Sequence, residues 1–150
     1  MLEKEKGKKY FRTHEDLAIF QLAFETAMQI YDYSKRFPVE EKYSLTDPSG
    51  SQSLMGETPK NALSHQVRRS SRSVCANFAE AWRKRRYKAA FVAKLSDCES
   101  EAAETQVWLK FAVKCHYLTV EQGRELYGTY NQILSGLVKM IKHPENWLLN

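Results

Sequence analysis

The sequence lacks the features that identify several large classes of protein. Its three cysteines (Cys75, Cys98 and Cys115) are an odd number without CxxC spacing, which disfavours a disulfide scaffold and fits a reducing compartment. No apolar run approaches the length of about 18 residues that a membrane-spanning helix needs. The charged N-terminal segment has no apolar stretch typical of a signal peptide. We therefore expect a cytoplasmic protein without a membrane anchor.

Patterns associated with catalysis and metal binding are also missing. No Glu is followed by His at the third position after it, no His-x-x-x-His occurs, and the histidines are scattered, so we expect no metal site. There is no glycine-rich phosphate loop and no GxSxG motif. Cys75 has no His near it in sequence and is interpreted as a core residue. We predict a protein that is not an enzyme and has no cofactor and no small-molecule substrate.

Four stretches of the sequence repeat apolar residues at helical spacing, and no stretch shows a strand signal. Thr13 with Asp16, and Thr119 with Gln122, resemble capping boxes at two helix starts. Prolines mark the ends of helices one and four. The predicted helices cover about 14–36, 60–85, 87–116 and 119–142.

Each predicted helix has an apolar stripe that indicates a buried face. In helix one the stripe is Leu17, Phe20, Phe24, Met28 and Tyr31, and in helix two it is Leu63, Val67, Val74, Phe78 and Ala81. Helix three has Phe91, Leu95, Cys98, Ala102, Leu109 and Val113, and helix four has Leu126, Tyr130, Ile133, Leu137 and Ile141. Helix four also carries Gly123, Gly128 and Gly136, which we expect where backbones approach closely.

These elements predict an all-α fold, an antiparallel up-down four-helix bundle. The bundle is expected over residues 13–142, with an inserted loop at about 47–59 that is rich in Gly, Ser and Pro. Residues 1–12 are interpreted as a flexible basic arm. Residues 143–150 form a tail that either folds back through Trp147 or frays.

One stretch of the sequence is strongly basic. Residues 64–88 contain eight basic residues and one acid, a local charge of +7, whereas the whole chain carries +5. Wound as a helix, this stretch separates into an apolar stripe, a polar stripe and an arginine stripe. The polar stripe is Gln66, Arg69, Ser70, Ser73, Asn77 and Glu80. The candidate nucleic-acid-binding residues are the arginine stripe and the cations that follow it: Arg68, Arg72, Arg83, Lys84, Arg85, Arg86 and Lys88.

The polar stripe has two interpretations. Glu80, Glu101 and Glu104 resemble a carboxylate set for acid–base catalysis, but buried carboxylates need compensating charge and Arg69 is available to supply it. We therefore favour a polar seam between helices two and three, in which these carboxylates pair with Arg69 and hydrogen-bond the amide side chains of the stripe.

The arginine stripe has three interpretations: a phosphate-binding surface, a contact with a second protomer, or a solvated face. Arginine suits phosphate because its planar fork donates two hydrogen bonds at once. Nearby aromatic residues are candidates for base stacking, although bundle packing explains them as well. They are Trp82, Tyr87 and Trp108.

Three segments follow one another in an order typical of one protein family: RTHEDLAIFQLAFETAMQIYDYSKRFPVEEKYSLTD, QVRRSSRSVCANFAEAW and AAFVAKLSDCESEAAETQVWLKFAVKCHYL. Their most specific residues are Gln66, Arg68, Arg69, Ser73, Asn77, Ala79, Glu80, Glu101 and Glu104. Over residues 12 to about 142 the sequence resembles the 23S ribosomal RNA intervening-sequence proteins, which are small bacterial four-helix bundles. It departs from their pattern at Cys75, where a Pro is usual, at Ala81, where a Gly is usual, and in an insertion at about 48–65.

The resemblance implies an antiparallel bundle that assembles into a ring-like homo-oligomer, commonly a pentamer. Related bundles are accessory variability proteins of diversity-generating retroelements, which work with a reverse transcriptase and its RNA. From the resemblance and the basic stretch together, we expect a non-enzymatic accessory protein that binds RNA or DNA and assists a retroelement reverse transcriptase. The alternative is a structural or scaffold homo-oligomer with an unknown protein partner and no nucleic-acid binding.

Overall fold

The computed structural model describes residues 11–38 and 62–150, and all regular structure within them is helical. Four α-helices lie in this part of the chain: α1 (Ala18–Ser34), α2 (Leu63–Arg83), α3 (Lys88–Lys114) and α4 (Val120–Lys142). Short 3-10 helices precede α1 at His14–Asp16 and follow α4 at Pro144–Asn146. The prediction of an all-α protein with four helices is confirmed. The predicted loop at 47–59 and the predicted start of helix two near residue 60 lie outside the described residues.

The beginning of α1 differs from the predicted helix start. The Asp16 carboxylate accepts hydrogen bonds from the backbone N–H groups of Arg12 and Thr13, at 2.8 and 3.1 Å. Leu17 is extended, with φ −84° and ψ 133°, so the turn that carries Asp16 is separate from α1. The predicted helix over 14–36 is therefore too long at both ends, because an extended residue interrupts it at the start and a turn replaces it after Ser34.

The turn between α3 and α4 is built from local signals. The N–H of Tyr117 donates to the carbonyl of Ala112 at 2.8 Å, and the N–H of His116 donates to Val113 at 3.0 Å. These bonds form a Schellman motif, which requires a left-handed residue, and His116 supplies it with φ 63°. The predicted end of helix three at His116 is corrected to Lys114.

The capping box that opens α4 forms as predicted. The Gln122 N–H donates to Thr119 Oγ1 at 3.1 Å, and the Thr119 N–H donates to Gln122 Oε1 at 3.0 Å. At the other end of the helix, His143 leaves the helical conformation and Pro144 begins the final 3-10 helix. Both bounds of helix four were thus readable from local sequence.

The core is shared by all four helices. α2 packs against α1 and α3, α3 packs against α4, and α4 packs against α1. The apolar stripes predicted for helices two, three and four are buried, apart from half-buried Val113 and Ile141. The largest fully buried side chains are Tyr130, Phe91, Leu95, Leu109, Leu126, Ile133 and Leu137.

The stripe predicted for helix one is wrong in part. Phe24 and Met28 are 52% and 48% exposed, whereas the neighbouring stripe of Ala23, Ala27 and Ile30 is buried. Both stripes have helical spacing, so periodicity alone did not distinguish them. Two alanines and Ile30 thus face the core, and the larger Phe24 and Met28 lie at the surface beside α2.

The C-terminal tail folds back onto the bundle. The Trp147 ring lies 6.3 Å from that of Trp82 and 5.9 Å from that of Phe11, between ring centroids. The Leu149 N–H donates to the Arg85 carbonyl at 3.1 Å. Both described ends of the chain therefore meet at the end of α2. Among the described helices, none combines the length and the hydropathy needed to cross a bilayer.

Candidate nucleic-acid interface

The predicted polar seam lies between α2 and α3 and is centred on Arg69. Its guanidinium contacts Glu101 at 3.4 Å and Glu104 at 2.7 Å. The Trp108 indole N–H also donates to Glu104, at 3.3 Å. Burial favours a raised pKa for both carboxyls. It prevails at Glu101, whose pKa is raised, whereas hydrogen bonds from Arg69 and Trp108 hold the pKa of Glu104 below its usual value.

The other end of the seam has its own cation. Lys94 on α3 contacts the Glu80 carboxylate at 2.7 Å and donates to Asn77 Oδ1 at 3.2 Å. The prediction that Glu80 pairs with Arg69 is wrong, because eleven residues of helix place the two about 16 Å apart along the axis. Each carboxylate of the seam has a cationic partner, an arrangement typical of interhelical pairing.

The other residues considered in the sequence were possible metal ligands and the cysteine thiols. No group of three or more His, Cys, Asp or Glu side chains within the described ranges is placed to hold a metal ion. Cys75 and Cys98 are buried, as the interpretation of Cys75 as a core residue predicted. Burial raises the pKa of the Cys75 thiol to about 11 and that of Cys98 to about 12, so both are protonated and poorly nucleophilic near neutral pH.

The residues of the predicted arginine stripe and the cations that follow it lie at two places in the structure. The first is a patch around Tyr31 of α1. The guanidinium carbons of Arg68 and Arg72 lie 4.9 and 5.6 Å from the Tyr31 ring centroid. Arg68 Nε also donates to Ser34 Oγ at 2.6 Å. The prediction that Arg68 faces outward is therefore corrected, because it is half-buried against α1, and this burial lowers its pKa. Arg72 is exposed.

The second place is the turn between α2 and α3. Four of the predicted cations are exposed at this turn, and no carboxylate within residues 11–38 or 62–150 forms an ion pair with them. They are Arg83, Lys84, Arg86 and Lys88. Unpaired cations on one short segment repel one another, and this repulsion is relieved when an anion binds.

Arg85, in the same turn, is held against the protein. Its guanidinium carbon lies 3.5 Å from the Trp82 ring centroid. Its Nε donates to the Trp82 carbonyl at 2.8 Å, and a terminal nitrogen donates to the Trp147 carbonyl at 3.4 Å. Burial lowers the pKa of Arg85, and the charge of Arg83 lowers it further. Arg85 thus fixes the turn and also contributes charge to it.

Arginines from distant parts of the sequence converge at this turn. They line a pocket of about 360 Å³, which we call the arginine pocket. It is lined by Arg12, Thr13, His14, Trp82, Arg83, Arg85, Arg86 and Leu149. Arg12 and His14 were not predicted to join this site, since they precede Arg83 by some 70 positions in the sequence, although the predicted Thr13–Asp16 cap indicated an ordered chain there. Lys84 and Lys88 lie outside the pocket lining.

The three aromatic candidates have different positions. Trp82 is 5% exposed and packs under Arg85, so the interpretation as a bundle-packing residue is confirmed for it and base stacking is not. Trp108 is half-buried and bonded to the seam. Tyr87, 70% exposed beside the cationic turn, remains placed to stack on a base.

Comparison with known proteins identifies the family. The family model described as 23S rRNA-intervening sequence protein matches residues 51–139. The fold is similar to a crystal structure of a protein with unknown function from the S23 ribosomal protein family of Bacteroides thetaiotaomicron VPI-5482, with a TM-score of 0.64 and 26% identity. The match covers 83% of this chain and 99% of that one. No curated protein matches this chain significantly. The chain therefore belongs to the 23S rRNA-intervening sequence protein family.

Proposed function

We propose that this protein is a non-enzymatic, cytoplasmic accessory protein that binds RNA or DNA through the cationic turn between α2 and α3. The observation that carries the proposal is the group of exposed cations that form no ion pair with a carboxylate of the described residues. The group includes Arg83 and Arg86, whose planar forks suit phosphate. Structured RNA is the first candidate ligand because the description of the family, 23S rRNA-intervening sequence protein, names an RNA.

The proposal includes an antiparallel bundle assembled as a ring-like homo-oligomer, with a pentamer as the expected size. Two pairs support the antiparallel order. Arg69, early in α2, contacts Glu104, late in α3, whereas Glu80, late in α2, contacts Lys94, early in α3. In a ring, each protomer repeats the cationic turn, so that weak phosphate contacts combine into a stronger overall affinity.

A salt-titrated binding experiment tests this function. We expect a labelled structured RNA to bind with an affinity that falls steeply as salt rises. The double variant Arg83→Gln/Arg86→Gln is expected to bind more weakly and to reduce the salt slope by about 1.5, since each phosphate contact contributes about 0.7–0.9. Arg124→Gln, at an exposed arginine of α4, is the matched control. Wild-type protein that binds neither RNA nor DNA at low salt would overturn the proposal.

The alternative, a scaffold homo-oligomer without nucleic-acid binding, is favoured by a different surface. Exposed Phe24 and Met28 border an apolar groove of about 420 Å³ between α1 and α2, which Arg72 also lines. Its occupant in this hypothesis is a second copy of the chain, because a contiguous apolar surface of this kind is typical of an interface.

The mass of the protein in solution tests whether the groove is the contact between copies. If the groove is the contact between copies, Phe24→Ser and Arg72→Glu are expected to yield smaller particles, whereas Val120→Ser, at an exposed apolar residue of α4, leaves the mass unchanged. A monomeric wild-type protein would contradict both the scaffold and the ring.

A reverse transcriptase is the proposed protein partner. A basic oligomer that contacts RNA is suited to hold the template beside such an enzyme. Co-purification with a retroelement reverse transcriptase and its RNA, lost on nuclease treatment, is the expected result. Failure to recover the enzyme at any salt concentration would remove this partner and leave the nucleic-acid proposal in place.

A further inference from the structure

The arginine pocket differs from the rest of the cationic surface in shape. Arg72 lies on the exposed face of a helix, and Lys84 and Lys88 lie on an exposed turn outside the pocket. The pocket, by contrast, has a volume of about 360 Å³ and is lined by residues as far apart in sequence as Arg12 and Leu149, a volume in the range of small-molecule sites. An internal phosphodiester must enter and leave its binding site as a continuous chain, which an open surface permits. A phosphate at the end of a nucleic-acid strand, by contrast, can enter a pocket that has a single opening.

Backbone hydrogen bonds and the packing of a buried tryptophan hold the residues of the pocket in place. The Asp16 carboxylate accepts the backbone N–H groups of Arg12 and Thr13, and these hydrogen bonds lower the pKa of Asp16. At the C-terminal end of the chain the Leu149 N–H donates to the Arg85 carbonyl. Trp82 is buried beneath the Arg85 guanidinium. A site fixed in this way loses little conformational entropy when a ligand binds.

The charge in the pocket exceeds what one phosphodiester would neutralise. Four arginines and one histidine line it, and no carboxylate of the described residues does so. Outside the lining, the Asp16 carboxylate compensates part of the charge of Arg12. The four arginines are Arg12, Arg83, Arg85 and Arg86. A phosphodiester carries one negative charge. A phosphate monoester carries about 1.5–2 at pH 7 and presents three acceptor oxygens, which match several guanidinium forks better.

We infer that the arginine pocket binds a phosphate monoester at the end of a nucleic-acid strand. This inference rests on the proposed nucleic-acid function and specifies its ligand. Internal phosphates then contact the open cations around Arg72, Lys84 and Lys88, while the terminal phosphate enters the pocket between Arg83 and Arg86. Tyr87, exposed beside the turn, is placed to stack on a base near that end.

The test compares three versions of one labelled RNA oligonucleotide, with a 5′-phosphate, with a 3′-phosphate, or with hydroxyls at both ends. We expect at least one phosphorylated version to bind full-length protein about tenfold more tightly than the hydroxyl version, because it adds charge-assisted hydrogen bonds. Arg83→Gln/Arg86→Gln should abolish this preference. Arg72→Gln, outside the pocket, should weaken all three versions by the same factor. Thermal unfolding of each variant establishes that the fold is retained.

The possible results separate this inference from the function on which it rests. Equal binding of the three oligonucleotides would overturn the terminal-phosphate site and leave nucleic-acid binding intact. Binding of none of them would overturn the proposed function and this inference together. Inorganic phosphate and a nucleoside monophosphate serve as competitors. If either displaces the phosphorylated oligonucleotide at an equal concentration, the ligand is a free phosphate compound and the nucleic-acid end is excluded.

Discussion

The guanidinium of Arg69 lies 2.7 Å from a carboxylate oxygen of Glu104, across the interface between α2 and α3. The same guanidinium contacts Glu101, so its removal leaves two half-buried carboxylates without their cation. We expect Arg69→Ala to lower the free energy of unfolding by about 1–2 kcal/mol. For a protein of this size that corresponds to a melting temperature lower by roughly 2–8 °C.

Arg86→Ala is the matched control for this effect. Arg86 is exposed and has no ion-pair partner in the described chain, so its removal should change the free energy of unfolding by no more than about 0.5 kcal/mol. Urea titration of both variants makes the comparison. Equal effects would contradict the structural role of the seam.

The two carboxylates of the seam should respond differently to neutralisation. The pKa of Glu104 is lowered in the folded protein, so its contribution to stability is present above the ordinary glutamate pKa of about 4.3 and is lost as the pH falls through its folded pKa. The pKa of Glu101 is raised, so its ionised form is disfavoured by folding.

At about pH 7, Glu104→Gln is therefore expected to destabilise the protein more than Glu101→Gln. The difference should shrink in acid, once Glu104 is protonated in the wild type. Urea unfolding at several pH values measures it. A larger effect of Glu101→Gln at neutral pH would show that the assignment of the main ion pair is wrong.

Two glycines of α4 should respond to alanine in opposite directions. A methyl group at Gly123 would overlap the side chain of Val113, whereas one at Gly128 would meet no atom within 4 Å. We expect Gly123→Ala to destabilise the protein by about 1–3 kcal/mol through overpacking. Gly128→Ala should stabilise it by up to about 1 kcal/mol, because alanine is the better helix former. Thermal unfolding of both variants checks the signs, and a stabilising Gly123→Ala would contradict the close packing of α3 on α4.

The cap of α4 gives a further prediction. The Thr119 hydroxyl accepts the Gln122 N–H at the helix start, so Thr119→Ala should cost about 1 kcal/mol. Thr129, in the same helix, donates to the Glu125 carbonyl, which is already within the helical ladder. Thr129→Ala should be neutral or slightly stabilising. Chemical denaturation compares them, and equal losses would exclude a specific role for the cap.

Much of the fold was readable from sequence because its signals are local. The Thr119 capping box, the stop at Pro144 and the stripes of helices two to four depend on residues a few positions apart, and the structure confirms them. The three glycines of α4 were predicted where backbones approach closely, but the nearest atoms are those of a side chain, Val113 at Gly123 and Ile19 at Gly136, and Gly128 has none within 4 Å. Spacing indicates which residues share a face, but it does not measure the distance to the next helix.

The contacts of the charged residues could be predicted from the sequence only in part. Periodicity identified the seam and the arginine stripe of helix two, because both are properties of a single helix. It did not show that Lys94 pairs with Glu80, that Arg68 packs against the ring of Tyr31, or that Arg12 and Arg83 line the same pocket. These contacts join elements far apart in the chain, so they depend on how the helices and the tail pack. The basic charge at residues 64–88 was thus determined by the sequence alone, whereas its division into half-buried, paired and exposed cations was decided by the tertiary structure.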